Sequence, residues 1–119
     1  MTPLMLTLDQ LPDSTVVHAA GDIDATNRTF LADALTEGRR RGKPLIVDFS
    51  AVTFLDSSGL HVLLDARTRT TLGKSGFHLA ALHPRVLRLL QIAGVAHFLN
   101  VHDSVEQART AVERWSVTK

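Results

Sequence analysis

At 119 residues the chain has room for one compact core and too little for two ordinary domains, so residues 1–119 are read as a single domain. With 45% hydrophobic and 21% charged residues, its composition excludes the disordered and fibrous classes. A net charge of +1 offers no broad field for nucleic-acid phosphates, and the absence of cysteine excludes disulfides, thiolate catalysis and Cys-based zinc sites.

Leu4, Leu6 and Leu8 alternate with polar or small residues, Pro12-Asp13 marks a turn, and Thr15 to Ala20 reads as a second strand, so a hairpin is expected. The opening MTPLMLTLDQ lacks the basic and long apolar regions of a signal peptide. No later stretch approaches the roughly 18 apolar residues of a membrane span. A cytoplasmic protein is therefore expected, without membrane or nucleic-acid contacts.

From Asp24 to about Gly42, Phe30, Leu31, Ala34, Leu35 and Gly38 recur at helical spacing, with Asp24, Thr26 or Asn27 available as the cap. Arg39, Arg40, Arg41 and Lys43 form the densest basic cluster. They fall in the last turn of that helix, where cations complement its dipole and Gly42 supplies a left-handed stop; a solvated helix end explains them better than a nucleic-acid patch.

Pro44 introduces the apolar strand LIVDF, and a second helix is expected from about Ser57 to Leu72, with Leu60, Leu63 and Leu64 on one side and Asp65, Arg67 and Arg69 on the other. GKSGF reads as a turn into the strand FHLAAL. Pro84 opens a third helix through Leu90 and Ile92, which Gly94 closes. The short strand HFLNV follows, and Asp103 or Ser104 caps a last helix carrying Val105, Ala108, Val112 and Trp115 on one face.

The order β-β-α-β-α-β-α-β-α predicts an α/β fold: a mixed, mainly parallel sheet of about five strands with the first as an antiparallel edge, and about four helices. In such sheets binding sites gather where strand C-terminal ends lead into helix N-termini. That rule places Asp24, Asp56, Ser57 and His83 near one another on one rim.

At the rim stands LDSSG, Leu55 to Gly59. Capping alone explains an Asp or Ser here. The same helix N-terminus would also stabilise a phosphate, and a hydroxyl at the tip of a short loop is within reach of a kinase. A nucleophile elbow needs a glycine where Leu55 stands. Ser57 and His61 could share a helix face, but a hydrolase further needs an orienting acid and an oxyanion hole that the sequence does not supply, so no enzyme activity is expected. Gly73-Lys74-Ser75 lacks the first glycine of a phosphate loop, with Thr68 in that place, and is read as a turn. The six histidines show no metal-ligand spacing, and no metal or other cofactor is expected.

The stretch IVDFSAVTFLDSSGLHVLL resembles the signature of STAS domains, specifically the stand-alone bacterial anti-sigma factor antagonists, with D-S-[ST]-G-L between an apolar strand and a leucine-rich helix. GDIDATN, Gly21 to Asn27, is similar to the family's G-[ED]-[IL]-D segment, and Gly76-Phe77-His78-Leu79-Ala80-Ala81-Leu82-His83-Pro84 resembles its later leucine-bearing segment that runs from Gly to Pro, with slightly shorter spacing. The resemblance implies a partner switch. The unphosphorylated form would bind an anti-sigma factor that is also a serine kinase, releasing a sigma factor, and phosphorylation would end the binding, with a phosphatase reversing it. It implies Ser57 as phosphoacceptor, and Asp24, Asp56, Ser57, Ser58, Gly59 and His61 as the partner-binding residues. His61 departs from the small residue usual in the family. A STAS adaptor subunit of a transport or sensory complex, working without phosphate turnover, is the alternative reading. The serine hydrolase is a remote one, and homodimerisation is left open.

Overall fold

The computed structural model of the chain describes residues 2–70 and 76–118. Its elements follow the expected order: β1 (Met5–Gln10), β2 (Thr15–Ile23), α1 (Arg28–Arg39), β3 (Leu45–Leu55), α2 (Ser57–Arg69), β4 (Phe77–Ala80), α3 (Pro84–Ile92), β5 (Val101–His102) and α4 (Val105–Thr118). The five strands form one sheet in the order β1-β2-β3-β4-β5. β1 pairs antiparallel with β2 as an edge, and every other pairing is parallel.

Alternating side chains divide the core between the two sheet faces. On one face Val17, Ala19, Val47, Phe49 and Leu79 pack with Leu31 and Leu35 of α1, Leu60 and Leu63 of α2, and Val86 and Leu90 of α3. On the other, Val16, Ile46 and Ala80 meet Ala108 and Val112 of α4. The uncovered part of this second face carries a polar cross-strand cluster. Asp48 accepts from His18 at 2.7 Å, and Asp9 lies 3.9 Å from the same ring. Among the described residues no helix is long and apolar enough to cross a membrane.

Several boundaries differ from expectation. β3 continues six residues beyond LIVDF, because register shifts opposite β2 absorb the polar residues Ser50 and Thr53 on an exposed surface without ending the pairing. α1 begins at Arg28, not Asp24, since Asp24, Thr26 and Asn27 bond to one another and to Asp22 and leave the helix without a side-chain cap. Phe30, expected on the apolar face, is 63% exposed. α2 ends at Arg69, where Thr70 turns extended, and β4 stops at Ala80, before the left-handed Ala81. HFLNV is not a strand: residues 97–100 form turns that end at the left-handed Asn100, and only Val101 and His102 pair with β4.

Ser104 caps α4 by accepting from the Gln107 N–H. The basic cluster is tied down locally, Arg40 and Arg41 to Glu37 and Lys43 to the Leu11 carbonyl. The Gly73-Lys74-Ser75 turn and the Trp115 side chain lie outside what is described.

Candidate functional site

The right-handed crossovers bring the C-terminal ends of β2 and β3 and the N-termini of α1 and α2 to one edge. Two loops meet there. The Asp56 N–H donates to the Ile23 carbonyl at 3.2 Å, joining the β3–α2 link to the end of β2. The loop after β2 is knitted by its own polar side chains: Asp24 accepts from the Thr26 N–H at 2.9 Å, and Asn27 accepts from the Asp24 N–H at 3.0 Å while donating to the Asp22 carbonyl at 2.8 Å.

Asp56 is the N-cap of α2. Its Oδ1 accepts from the Ser58 N–H at 2.9 Å, the Ser58 hydroxyl at 2.8 Å and the Gly59 N–H at 3.2 Å. Partial burial pushes the Asp56 carboxyl up, but these bonds, with a further one from the Ala25 N–H, outweigh it and hold the carboxyl below its ordinary 3.8. The pKa in the folded state is thus below that of the unfolded chain. The stability Asp56 contributes is complete above pH 3.8 and is lost as pH falls through the lower, folded value. Asp56→Ala is expected to cost about 1 kcal/mol at neutral pH by loss of the cap, and less at a pH far enough below 3.8 that the carboxyl is protonated. Urea unfolding at the two pH values measures the difference, and an equal cost at both would contradict the capping role.

Asp56 and Ser58 are therefore spent on the helix start, whereas Ser57 is not. Its side chain is exposed, and no hydrogen bond engages its hydroxyl among the described residues. The adjacent Gly59 is needed for packing: a Cβ there would stand 2.3 Å from Leu55 Cδ1 and 2.7 Å from Ile23 Cγ2, so the glycine lets α2 seat against the ends of β2 and β3. His61 is exposed one turn after Ser57 and lines a groove between α1 and α2 with Arg28, Arg39 and Asp65.

The structure thus gathers Asp24, Asp56, Ser57, Ser58, Gly59 and His61 on one edge. His83 lies on the α3 side of it, where Arg85, Val86 and Leu89 face Thr53, Phe54 and Leu55 across a cavity of about 320 Å³. Its ring caps α3, accepting from the Arg85 N–H at 3.2 Å. Sequence reasoning missed Arg28 and the exposed Phe54; the register shifts in β3 break its alternation, so that Thr53 and Phe54 are both exposed, and this becomes visible only once the strand is known to run on to Leu55.

The model of the STAS domain matches residues 5–108. The chain belongs to the STAS domain family. It is 25% identical over 111 residues to the anti-sigma-F factor antagonist RsfA of Mycobacterium tuberculosis, across 91% of this chain and 87% of that protein. Over 90 residues it is 29% identical to the anti-sigma-B factor antagonist of Listeria monocytogenes, across 75% and 79%. Its fold matches the crystal structure of an anti-sigma factor antagonist from Mycobacterium paratuberculosis with a TM-score of 0.86 at 26% identity, across 93% of this chain and 95% of that one. In this STAS domain the D-S-S-G signature is therefore a junction in which the aspartate, second serine and glycine build the helix start and leave the first serine presented to solvent.

Proposed function

We propose that this chain is a cytoplasmic, single-domain anti-sigma factor antagonist, without enzymatic activity or cofactor of its own. Its unphosphorylated form binds an anti-sigma factor with serine kinase activity and thereby releases a sigma factor. The observation that carries this reading is the Ser57 hydroxyl, exposed and unengaged at the first position of α2 while its neighbours on both sides are committed to the helix start. Asp24, Asp56, Ser58, Gly59 and His61 shape the surface that the partner meets.

In the switching step the Ser57 oxygen attacks the γ-phosphorus of ATP held by the partner. The new O–P bond replaces the bond to the β-phosphate oxygen, ADP leaves, and the hydroxyl proton passes to a base of the kinase. The product carries about −1.5 to −2 charges at pH 7 on an edge that already holds Asp24 and Asp56, so like-charge repulsion and desolvation oppose rebinding. A phosphatase restores the binding form by hydrolysing the same O–P bond. Incubation of the full chain with the cognate anti-sigma factor and Mg-ATP is expected to add one phosphate, located on Ser57 by fragment mass spectrometry. A phosphate on any other residue, or none, would overturn the proposal.

A further inference from the structure

Arg28 is poorly placed by the ordinary rules of helix ends. It is the first residue of α1, where the aligned peptide dipoles leave partial positive charge and a cation is disfavoured, and the first turn holds no acidic residue to offset it. Its side chain is exposed and makes no ion pair among the described residues. It lines a groove of about 250 Å³ between α1 and α2, with His61 and Asp65 on the α2 side. His61 stands four residues after Ser57, a spacing that puts two side chains on one helix face with Cβ atoms about 5–6 Å apart.

The other charged groups near the groove have partners, although the Arg39 Nε is buried without one. Asp65 holds Arg69 at 2.8 Å, and Arg39 donates to the Thr36 hydroxyl. On the rim, Asp24 accepts from Thr26, and Asp56 from Ser58 and Gly59. Arg28 and His61 thus line one groove as a guanidinium and an imidazole that have no ion-pair partner among the described residues.

We propose that Arg28 and His61 form an intramolecular clamp for a phosphate carried by Ser57. The inference rests on the reading of Ser57 as the phosphoacceptor and adds where the phosphate goes. A guanidinium matches two phosphate oxygens with parallel N–H bonds, and an imidazole offers an N–H donor in either protonation state. The N-termini of α1 and α2 both favour negative charge at that edge. Phosphorylation on this view does more than repel the partner: it draws the new charge onto the α1–α2 groove and occupies two donors that the unmodified chain leaves open.

The test uses the full chain with phosphoserine installed at position 57 during translation, so that no kinase is involved, and follows the phosphate by ³¹P NMR as pH is varied. A free phosphoserine takes up its second proton at about pH 6. The native sequence is expected to bind that proton about threefold less tightly than the Arg28→Gln variant, a shift of about half a pH unit. His61→Gln should move the midpoint in the same direction as Arg28→Gln. Arg41→Gln, which removes an exposed cation just beyond the other end of α1, should leave it unchanged. All three positions are exposed, and thermal melts of the unmodified variants check that the fold is intact.

Identical midpoints in the native, Arg28→Gln and His61→Gln proteins would overturn the clamp, as would an equal displacement by Arg41→Gln. Failure of the kinase to modify Ser57 would remove the switch and leave this titration standing. A flat titration in a chain that the kinase does modify on Ser57 would remove the clamp alone.

Discussion

Ser57→Asp is expected to weaken binding to the cognate anti-sigma factor by about 30- to 100-fold, roughly 2–3 kcal/mol, while Ser57→Ala binds as tightly as the unmodified chain and cannot be switched off. The estimate starts from where the charge would sit. Ser57 is exposed at the first position of α2, one residue after the Asp56 cap and beside the loop that carries Asp24. A partner that closes over this edge excludes the water that screens the carboxylates from one another, so an added negative charge meets both desolvation and its neighbours. One carboxylate should do less than a phosphate, which brings about twice the charge. Titration calorimetry against the anti-sigma factor without ATP supplies the comparison. Equal affinities for Ser57→Ala and Ser57→Asp would remove the electrostatic mechanism.

The same substitution should act oppositely on the fold. A negative charge at the first position of α2 lies at the positive end of the helix dipole and stabilises by a few tenths of a kcal/mol. Stability and binding therefore move in opposite directions on one change. A lower affinity of Ser57→Asp arising from misfolding would instead come with a lower melting temperature, so the two explanations separate experimentally.

The rim is readable in the sequence because it follows from chain order: parallel strands joined by right-handed crossovers put their own C-terminal ends and the N-termini of the helices that follow them on one edge. Asp24, Asp56 and Ser57 needed only that rule to be brought together. What escaped was settled by side-chain choices that local sequence leaves open. Asp24, Thr26 and Asn27 are all good caps, and the structure uses them to bind one another, which delays the start of α1 to Arg28.

HFLNV has the alternation of a strand, yet Leu99 is buried from within a turn and the left-handed Asn100 ends the segment before β5. The groove shared by Arg28 and His61 depends on how α1 and α2 lie side by side, which no single-helix pattern encodes.

Gly21 lies in β2, two residues before the strand ends at Ile23 and the rim loop begins, and its replacement is the second large effect. Gly21→Ala is expected to destabilise the protein by roughly 2–4 kcal/mol. Its φ of +105° is a conformation that L side chains rarely adopt, and a Cβ built there would stand 2.2 Å from the Pro3 carbonyl oxygen and 2.8 Å from the Pro3 carbonyl carbon. Backbone cannot rotate out of the way as a side chain can. Relief therefore requires the segment before β1 to peel from the sheet. That movement would sacrifice the bonds in which the Asp22 N–H donates to the Thr2 carbonyl and the Thr2 N–H to the Asp22 carboxylate, both at 3.0 Å.

The damage should also reach the rim, because Ile23, two residues on, supplies the carbonyl that receives the Asp56 N–H. Gly42 makes a fair control, since it too has a positive φ, of +74°, but a Cβ there meets nothing within 4 Å. Gly42→Ala should cost only its backbone strain, about 1–2 kcal/mol. Urea unfolding of both variants gives the comparison. An equal loss in the two would mean that the clash with Pro3 relaxes at no cost and that Gly21 is held by its φ alone.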